Sequence, residues 1–344
     1  MNTGLYYSDD CSCMSVDRIA PKKRVVLVTG GTGFVGSALK DVVGDGKWSH
    51  SEDEFHFVGR ADADLRDVNE AEKLFASVRP THVIHLAAMT GGLYKNMAYE
   101  VDFFRDNVAI NDSVLYCAHK ANVCKVISCL STCIFPDKTA YPIDESMLHA
   151  GKPHDSNLGY AMAKRMIDTL NHCYANQYNC NFTAVIPTNI YGPHDNFDIE
   201  NGHVIPGLIQ KCSLAKEKNE DFVVWGSGKP LRQFIFSEDL AKLLLWALKE
   251  YDSVEPIIFS VDATSEVSIE SVARMIASKF QFSGKIVTDT SKSDGQYKKT
   301  ASNAKLRLLL PDFEFTSLDK GLTKTIDWYE HSKLSKNNNK REID

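Results

Sequence analysis

Arg24-Val-Val-Leu-Val-Thr-Gly-Gly-Thr-Gly-Phe-Val-Gly36 sets a short apolar, β-branched run directly before a cluster of glycines. A run of that length and texture reads as a strand buried on both faces of a parallel sheet. Gly31-Thr-Gly33-Phe-Val-Gly36 then follows the strand and opens a helix expected over Phe34 to Val43, the context that gives a glycine pattern force. The spacing Gly30, Gly33, Gly36 fits equally well. Glycine permits the tight turn and the close approach of backbone to a pyrophosphate, and the helix N-terminus favours negative charge. A dinucleotide site is the expectation.

Working outward, further strands are expected at Phe55 to Gly59, His82 to Ala87, Lys125 to Cys129 and Thr183 to Pro187. Helical patterns lie between them at Val68 to Val78, Tyr99 to Ala121 and Tyr160 to Tyr178. Strands that alternate with helices imply an α/β fold with a doubly wound parallel sheet of Rossmann type. After Tyr191-Gly-Pro193 the texture changes to loops, short helices and short strands such as Phe222 to Trp225 and Pro256 to Val261. The expected organisation is a disordered tail over 1–21, a nucleotide-binding domain over 22–190 and a smaller, interleaved α/β substrate domain over 191–330. A segment around 235–262 is expected to return to the first domain, and 331–344 to form a second disordered tail.

Composition narrows the class. With 344 residues, 43% hydrophobic and 24% charged, the chain has the make-up of an ordinary globular protein with a substantial core. A net charge of -6 argues against general nucleic-acid binding, which needs a basic surface. No stretch approaches the ~18 apolar residues of a membrane span. Met1 to Ala20 lacks the apolar core of a secretory signal, and nine scattered cysteines suit reduced thiols, so a cytoplasmic location is expected. Neither Cys11-x-Cys13 nor Cys129-x-x-x-Cys133 has the spacing of a zinc site, so no metal is expected.

The end of the second strand reads Val58-Gly59-Arg60, where an NAD site would place an acidic residue for the ribose hydroxyl. Arginine suits a 2′-phosphate, so NADP(H) is favoured, with Asp64 and Leu65 placed to flank the adenine. Tyr160-Ala-Met-Ala-Lys164 sets a phenol and an ammonium one helical turn apart on one face. The cation is expected to lower a tyrosine pKa that is about 10 when unperturbed, readying the phenol for proton transfer at a carbonyl. Ser131 follows the strand at Lys125 to Cys129, at the sheet edge where such folds bind ligands.

In family order, the glycine motif, His85-Leu-Ala-Ala88, Ser131, Tyr160-x-x-x-Lys164 and Pro187-Thr-Asn-Ile-Tyr-Gly-Pro193 make the chain resemble the extended short-chain dehydrogenases/reductases. Within that superfamily it is similar to the NADPH-dependent 3,5-epimerase/4-reductases of GDP-4-keto-6-deoxy-D-mannose, over nearly the whole span from Arg24 to Phe313. The specific pieces are His85-Leu-Ala-Ala-Met-Thr-Gly-Gly92, Ser128-Cys-Leu-Ser-Thr-Cys-Ile-Phe-Pro136, Pro193-His-Asp-Asn-Phe197 with His203-Val-Ile-Pro206, and Trp225-Gly-Ser-Gly228 with Arg232-Gln-Phe234.

The resemblance implies that Cys133 is the base and His203 the acid of the two epimerisations. Tyr160 then protonates the alkoxide at C4, supported by Lys164 and Ser131. It implies cofactor contacts from Gly30, Gly31, Thr32, Gly33, Phe34, Val35 and Gly36, then Arg60, Asp64 and Leu65. Leu86, Ala87 and Ala88 follow, then Tyr160, Lys164, Pro187, Asn189, Ile190 and His203. Substrate contacts fall to Asn189, Lys211, Trp225, Arg232, Asp294 and Lys299. Bacterial relatives show Arg at Lys211 and a Thr-Pro-Arg-Lys segment at Gln296-Tyr-Lys-Lys299, which leaves the choice between Lys298 and Lys299 open. A homodimer is implied, its four-helix bundle formed by the helices at Tyr99 to Ala121 and Tyr160 to Tyr178. The rivals differ at named places. A nucleotide-sugar 4-epimerase would keep and recycle its cofactor, usually NAD, against which Arg60 argues. A 4,6-dehydratase would carry an Asp-Glu pair at Thr132-Cys133, and a non-catalytic NADP-binding regulator would have lost the Tyr or the Lys.

Overall fold

The structure, a computed structural model, describes residues 23–49 and 51–341. The expected tail over 1–21 lies outside the described residues. The chain begins with β1 (Val25–Thr29), α1 (Phe34–Gly44), β2 (Glu54–Val58), α2 (Val68–Val78) and β3 (His82–His85). It continues through α3 (Leu93–Ala98), α4 (Glu100–Lys120), β4 (Lys125–Cys129), α5 (Leu158–Tyr178), β5 (Phe182–Pro187) and β6 (Asn189–Tyr191). Next come α6 (Val204–Lys218), β7 (Phe222–Trp225), β8 (Leu231–Arg232), β9 (Phe234–Phe236), α7 (Ser237–Glu250) and β10 (Ile257–Phe259). The last elements are β11 (Val267–Ser268), α8 (Ile269–Lys279), β12 (Ile286–Asp289), α9 (Ala304–Leu309) and α10 (Leu318–Arg341).

Six strands form one parallel sheet in the order β10-β5-β4-β3-β1-β2. The order reverses between β1 and β3, so the crevice at the carboxyl ends of these two strands is the natural ligand position. Alternate residues of each central strand feed different cores. Val26 and Val28 of β1 pack with Leu39 and Val42 of α1 and the leucines of α7. Leu27 points the other way, to Phe75 of α2, Leu115 of α4 and Ile167 of α5. Both faces of the sheet are therefore apolar, which is why these strands read as unbroken hydrophobic runs. A third cluster joins α6, α8 and α10 with β7 and β9 beyond the main sheet.

Two expectations need correction. The helix expected over Tyr99 to Ala121 begins only at Glu100, because Tyr99, at φ −127° and ψ 39°, breaks it from α3. The C-terminal tail expected over 331–344 is helical as far as Arg341. Its polar composition hid the anchors: Lys333 donates to Ser213 of α6 at 3.2 Å and pairs with Glu217, while Tyr329 donates to Gln210 at 2.7 Å.

Candidate active site

A cleft of about 1070 Å³ runs along the carboxyl ends of the sheet and out toward α6 and β7. Its floor is the glycine turn. Gly30 has φ +69°, and a Cβ there would sit 2.7 Å from the Ala87 amide nitrogen, so only glycine fits. Gly36 lies equally close, its missing Cβ 2.5 Å from Gly31 Cα. Gly33 caps α1 with extended backbone and no side-chain cap, which leaves the first amides of the helix open toward the cleft. Such a cradle of backbone and helix N-terminus fits a pyrophosphate. Thr32, Phe34 and Val35 line the same wall, as do Leu65, Leu86, Ala87 and Ala88. Gly31 does not line the wall. It backs the turn, its amide donating to the Val58 carbonyl at 2.8 Å, and a Cβ there would lie 2.7 Å from Phe57 Cα.

At the rim, the Arg60 guanidinium is 77% exposed and only loosely paired with Asp64 at 3.9 Å, leaving it free to meet an anion. Asp64 belongs instead to Arg66, whose guanidinium hydrogen-bonds it at 2.5 Å and, with backbone support, holds the carboxyl at about 2. Arg66 also lines the cleft and was missed in the sequence, because it lies outside the strand end where cofactor choice is usually read.

Ser131, Cys133, Tyr160, Lys164 and His203 all face this cleft. A relay of buried polar groups sets the helix that carries two of them. Thr29 bonds His85 Nδ1 at 2.8 Å, His85 Nε2 bonds Asn111 at 3.2 Å, and Asn111 donates to the Ala163 carbonyl at 3.1 Å. Burial drives the His85 pKa down to about 3, so this ring is neutral and structural.

The tyrosine–lysine pair differs from expectation. Lys164 is buried and donates to the Cys129 carbonyl at 2.9 Å, and its Nζ stands 6.0 Å from the centre of the Tyr160 ring. Although Tyr160 is only half-buried, enclosure by the cleft raises its phenol well above the ordinary value, with Cys133 and Cys129 adding to the effect. The phenol is held protonated rather than readied as phenolate.

Cys133 is buried, in a short turn whose amide donates to Ser131 Oγ at 3.4 Å. Burial raises its thiol pKa, opposed first by the Lys299 ammonium and then by Ser131 and Lys164. His203 stands at the N-terminus of α6, about half its side chain exposed, with Nδ1 3.5 Å from Asp195 Oδ1, and that carboxylate raises the imidazole pKa against the opposing effect of enclosure by the cleft. His194, in the same loop, reaches Asp41 of α1 at 3.0 Å, and its ring lies 5.0 Å from Trp328 of α10.

The outer part of the cleft is aromatic and cationic. Lys211 Nζ sits 3.4 Å over the Trp225 ring, and burial with the nearby Lys292 lowers its pKa to about 8. Tyr94 meets Trp225 edge-on at 6.0 Å, and Lys292 approaches the same indole at 5.2 Å. Neither was found in the sequence, since an isolated Tyr and a loop Lys carry no spacing signal. Arg232 braces the loop above, donating to the carbonyls of Leu231 at 2.8 Å and Gln296 at 2.6 Å. Asp294 clamps the turn after Trp225 by accepting from the Ser227 amide and hydroxyl, both at 2.7 Å. Of the two lysines, Lys299 faces the cleft, whereas Lys298 pairs with Glu266 at 3.8 Å. Asn189, Pro187 and Ile190 line the inner wall, with the Asn189 amide donating to the Gln233 carbonyl at 2.9 Å. Among the described residues no group of three His, Cys, Asp or Glu could hold a metal ion, and no helix is long and apolar enough to cross a membrane.

A parallel sheet with a glycine cradle, and a Ser, Tyr and Lys at its carboxyl edge, defines a nucleotide-dependent oxidoreductase or epimerase. The chain belongs to the NAD dependent epimerase/dehydratase family, whose model matches residues 26–261. It is 54% identical over 307 residues to the GDP-L-fucose synthase of Dictyostelium discoideum, covering 89% of this chain and 95% of that one. To the probable GDP-L-fucose synthase of Drosophila melanogaster it is 55% identical, covering 89% and 97%. A crystal structure of a GDP-L-fucose synthetase from Naegleria fowleri bound to NADP matches with a TM-score of 0.84 at 47% identity, covering 90% of this chain and 94% of that one.

Proposed function

We propose that this protein converts GDP-4-keto-6-deoxy-D-mannose to GDP-L-fucose, inverting C3 and C5 before NADPH-dependent reduction of the C4 ketone. The observation that carries this reading is the convergence of Cys133, His203 and Tyr160 on one cleft beside the glycine cradle. A C4 ketone acidifies the hydrogens on C3 and C5. Cys133 removes such a proton from one face, and the electron pair of the broken C–H bond moves onto the ketone oxygen as an enolate. His203 returns a proton to the other face, which inverts the centre. Burial suits Cys133 to this work, because a thiolate formed where ionisation is disfavoured is a strong base.

Bound NADPH would supply the hydride for C4. Gly30, Gly33 and Gly36 would carry its pyrophosphate and Arg60 its 2′-phosphate, with Lys164 placed for the ribose. Tyr160, held protonated by its enclosure, donates its proton to the developing alkoxide, and Ser131 orients the carbonyl. Lys211, Arg232 and Lys299 give cationic character to the part of the cleft assigned to the diphosphate, and Trp225 offers an indole face for a base.

The assembly proposed is a homodimer through α4 and α5, whose outward side chains Val101, Phe104 and Met162 are exposed apolar groups. A monomeric mass in sedimentation at micromolar concentration would refute that, and a cytoplasmic site of action accompanies the reading. The deciding experiment for the activity offers the purified protein NADPH and GDP-4-keto-6-deoxy-D-mannose in D₂O. Loss of absorbance at 340 nm with deuterium at C3 and C5 of an L-fucosyl product supports the reading. An unaltered ketosugar, or a reduced product without inversion, overturns it.

A further inference from the structure

The loop from Pro193 to His203 carries one carboxylate that the functional reading leaves unused. Asp195 has a side chain only 2% exposed. Its Oδ1 accepts from the Asn196 amide at 2.7 Å, and its Oδ2 is buried with no hydrogen-bond partner. A buried carboxylate in that state is costly unless a cation compensates it. Among the described residues the cationic group paired with it is His203, with Nδ1 at 3.5 Å from Oδ1.

The loop is shaped to create that approach. His194 takes a left-handed conformation, at φ 69°, which turns Asp195 inward. Its ring is held from outside by Asp41 and Trp328, and Phe197 packs on Tyr329 with ring centres 4.9 Å apart. Asp198 Oδ1 gathers the amides of Glu200 at 3.0 Å and Asn201 at 2.7 Å, folding the chain back on itself. Gly202 closes the loop, because a Cβ there would lie 2.3 Å from the Asn196 carbonyl oxygen. The next residue is His203, delivered beside Asp195.

We propose that Asp195 is a positioning residue for His203: it fixes Nδ1 toward the protein and commits Nε2 to the sugar. The same carboxylate favours the protonated ring. The inference rests on His203 being the epimerisation acid. Without the carboxylate, a ring at the N-terminus of α6 would sit at the positive end of a helix, which disfavours the imidazolium. Other charged groups line the cleft, with Glu200 in the same loop, Lys95 on α3, Lys164 on α5, Lys211 on α6 and Lys299 beyond. The charge that acts on the imidazole is that of Asp195. In each inversion the Nε2–H bond breaks and a C–H bond forms, leaving a neutral ring with Nδ1–H still facing Asp195. Solvent takes up the proton that Cys133 gained and returns one to Nε2, so both groups are reset before the next inversion.

Asp195→Asn keeps the shape and removes the charge. Deuterium incorporation at C3 and C5 of the ketosugar, followed across pH, should lose its alkaline limb about one unit earlier than in the unaltered protein. Above neutral pH the rate should fall on the order of tenfold. NADPH binding should be unchanged, and Asp195→Glu should recover part of the limb. A folded Asp195→Asn protein with the original pH profile overturns the proposal. If that variant does not fold, the His203 ring is titrated by NMR in the unaltered protein, its signal assigned by loss in His203→Gln. A pKa at or below about 6.5 then overturns the proposal, and a higher one supports it. Should the unaltered protein show no exchange into the ketosugar at all, the functional reading fails, and the same titration still decides the pair.

Discussion

Lys164 gives its hydrogen bond to the carbonyl of Cys129 at 2.9 Å, one helical turn from a Tyr160 phenol that enclosure holds well above its ordinary pKa. In the proposed mechanism the pair therefore serves as an acid and a strut rather than as a phenolate and its counter-ion. Tyr160→Phe should stop the chemistry after inversion, with the C3/C5-epimerised ketosugar accumulating and NADPH oxidation falling on the order of 10²-fold or more. Because the folded pKa is raised, the acid form persists through pH 7 to about 9.5. Single-turnover NADPH oxidation on pre-epimerised sugar should stay flat over that range. A fall with a midpoint near neutrality would assign the proton to another group.

Cys133→Ser should separate the two halves of the reaction. Deuterium entry at C3 and C5 should drop on the order of 10²-fold or more, because a serine hydroxyl is a far weaker base at the same position. Reduction of a ketosugar supplied already inverted should continue. Undiminished exchange in this variant would remove Cys133 from the mechanism.

Lys211 holds its charge only below about pH 8 in this setting, through burial and the neighbouring Lys292. Its pKa is depressed, so the ammonium is present at lower pH and is lost as pH rises through that value. KM for the nucleotide sugar should accordingly rise above pH 8 while kcat holds. Lys211→Arg should flatten the rise, since a guanidinium does not deprotonate in this range. A KM that is independent of pH in the unaltered protein would count against diphosphate contact.

Gly30→Ala places a methyl group 2.7 Å from the Ala87 amide at a left-handed backbone position. The strain should cost about 1–3 kcal/mol, and the floor of the cleft must deform to relieve it. A lower unfolding midpoint together with weakened NADPH binding by titration calorimetry is expected. Wild-type affinity in this variant would exclude close approach of a pyrophosphate at the turn.

Much of this was legible in the sequence for a physical reason. Strands buried on both faces must be continuous apolar runs, so β1, β4 and β5 announce themselves, and β1 leads into a glycine turn that admits no other residue at Gly30. Cys133 and His203 stood out because they sit in distinctive local motifs. What stayed hidden depended on distance in the chain. Tyr94 and Lys292 reach Trp225 from a short helix and a distant loop, and Asp195 meets His203 only because the chain folds back at Gly202. The electrostatic sense of the Tyr160–Lys164 pair was also beyond the sequence, because spacing shows that two groups are neighbours and says nothing of how dry their surroundings are.

The contact between His194 and Trp328 carries a consequence for how such a protein matures. The loop that presents His203 leans on α10, a helix far downstream, whereas the nucleotide cradle is complete once the sheet strands and α1 are in place. During synthesis the strands and helix of the cradle precede the helix that braces the His203 loop. A chain halted ahead of Trp328 would lack the ring against which His194 rests. Under the proposed function, the brace on the group that sets handedness is the last part of the site to be synthesised.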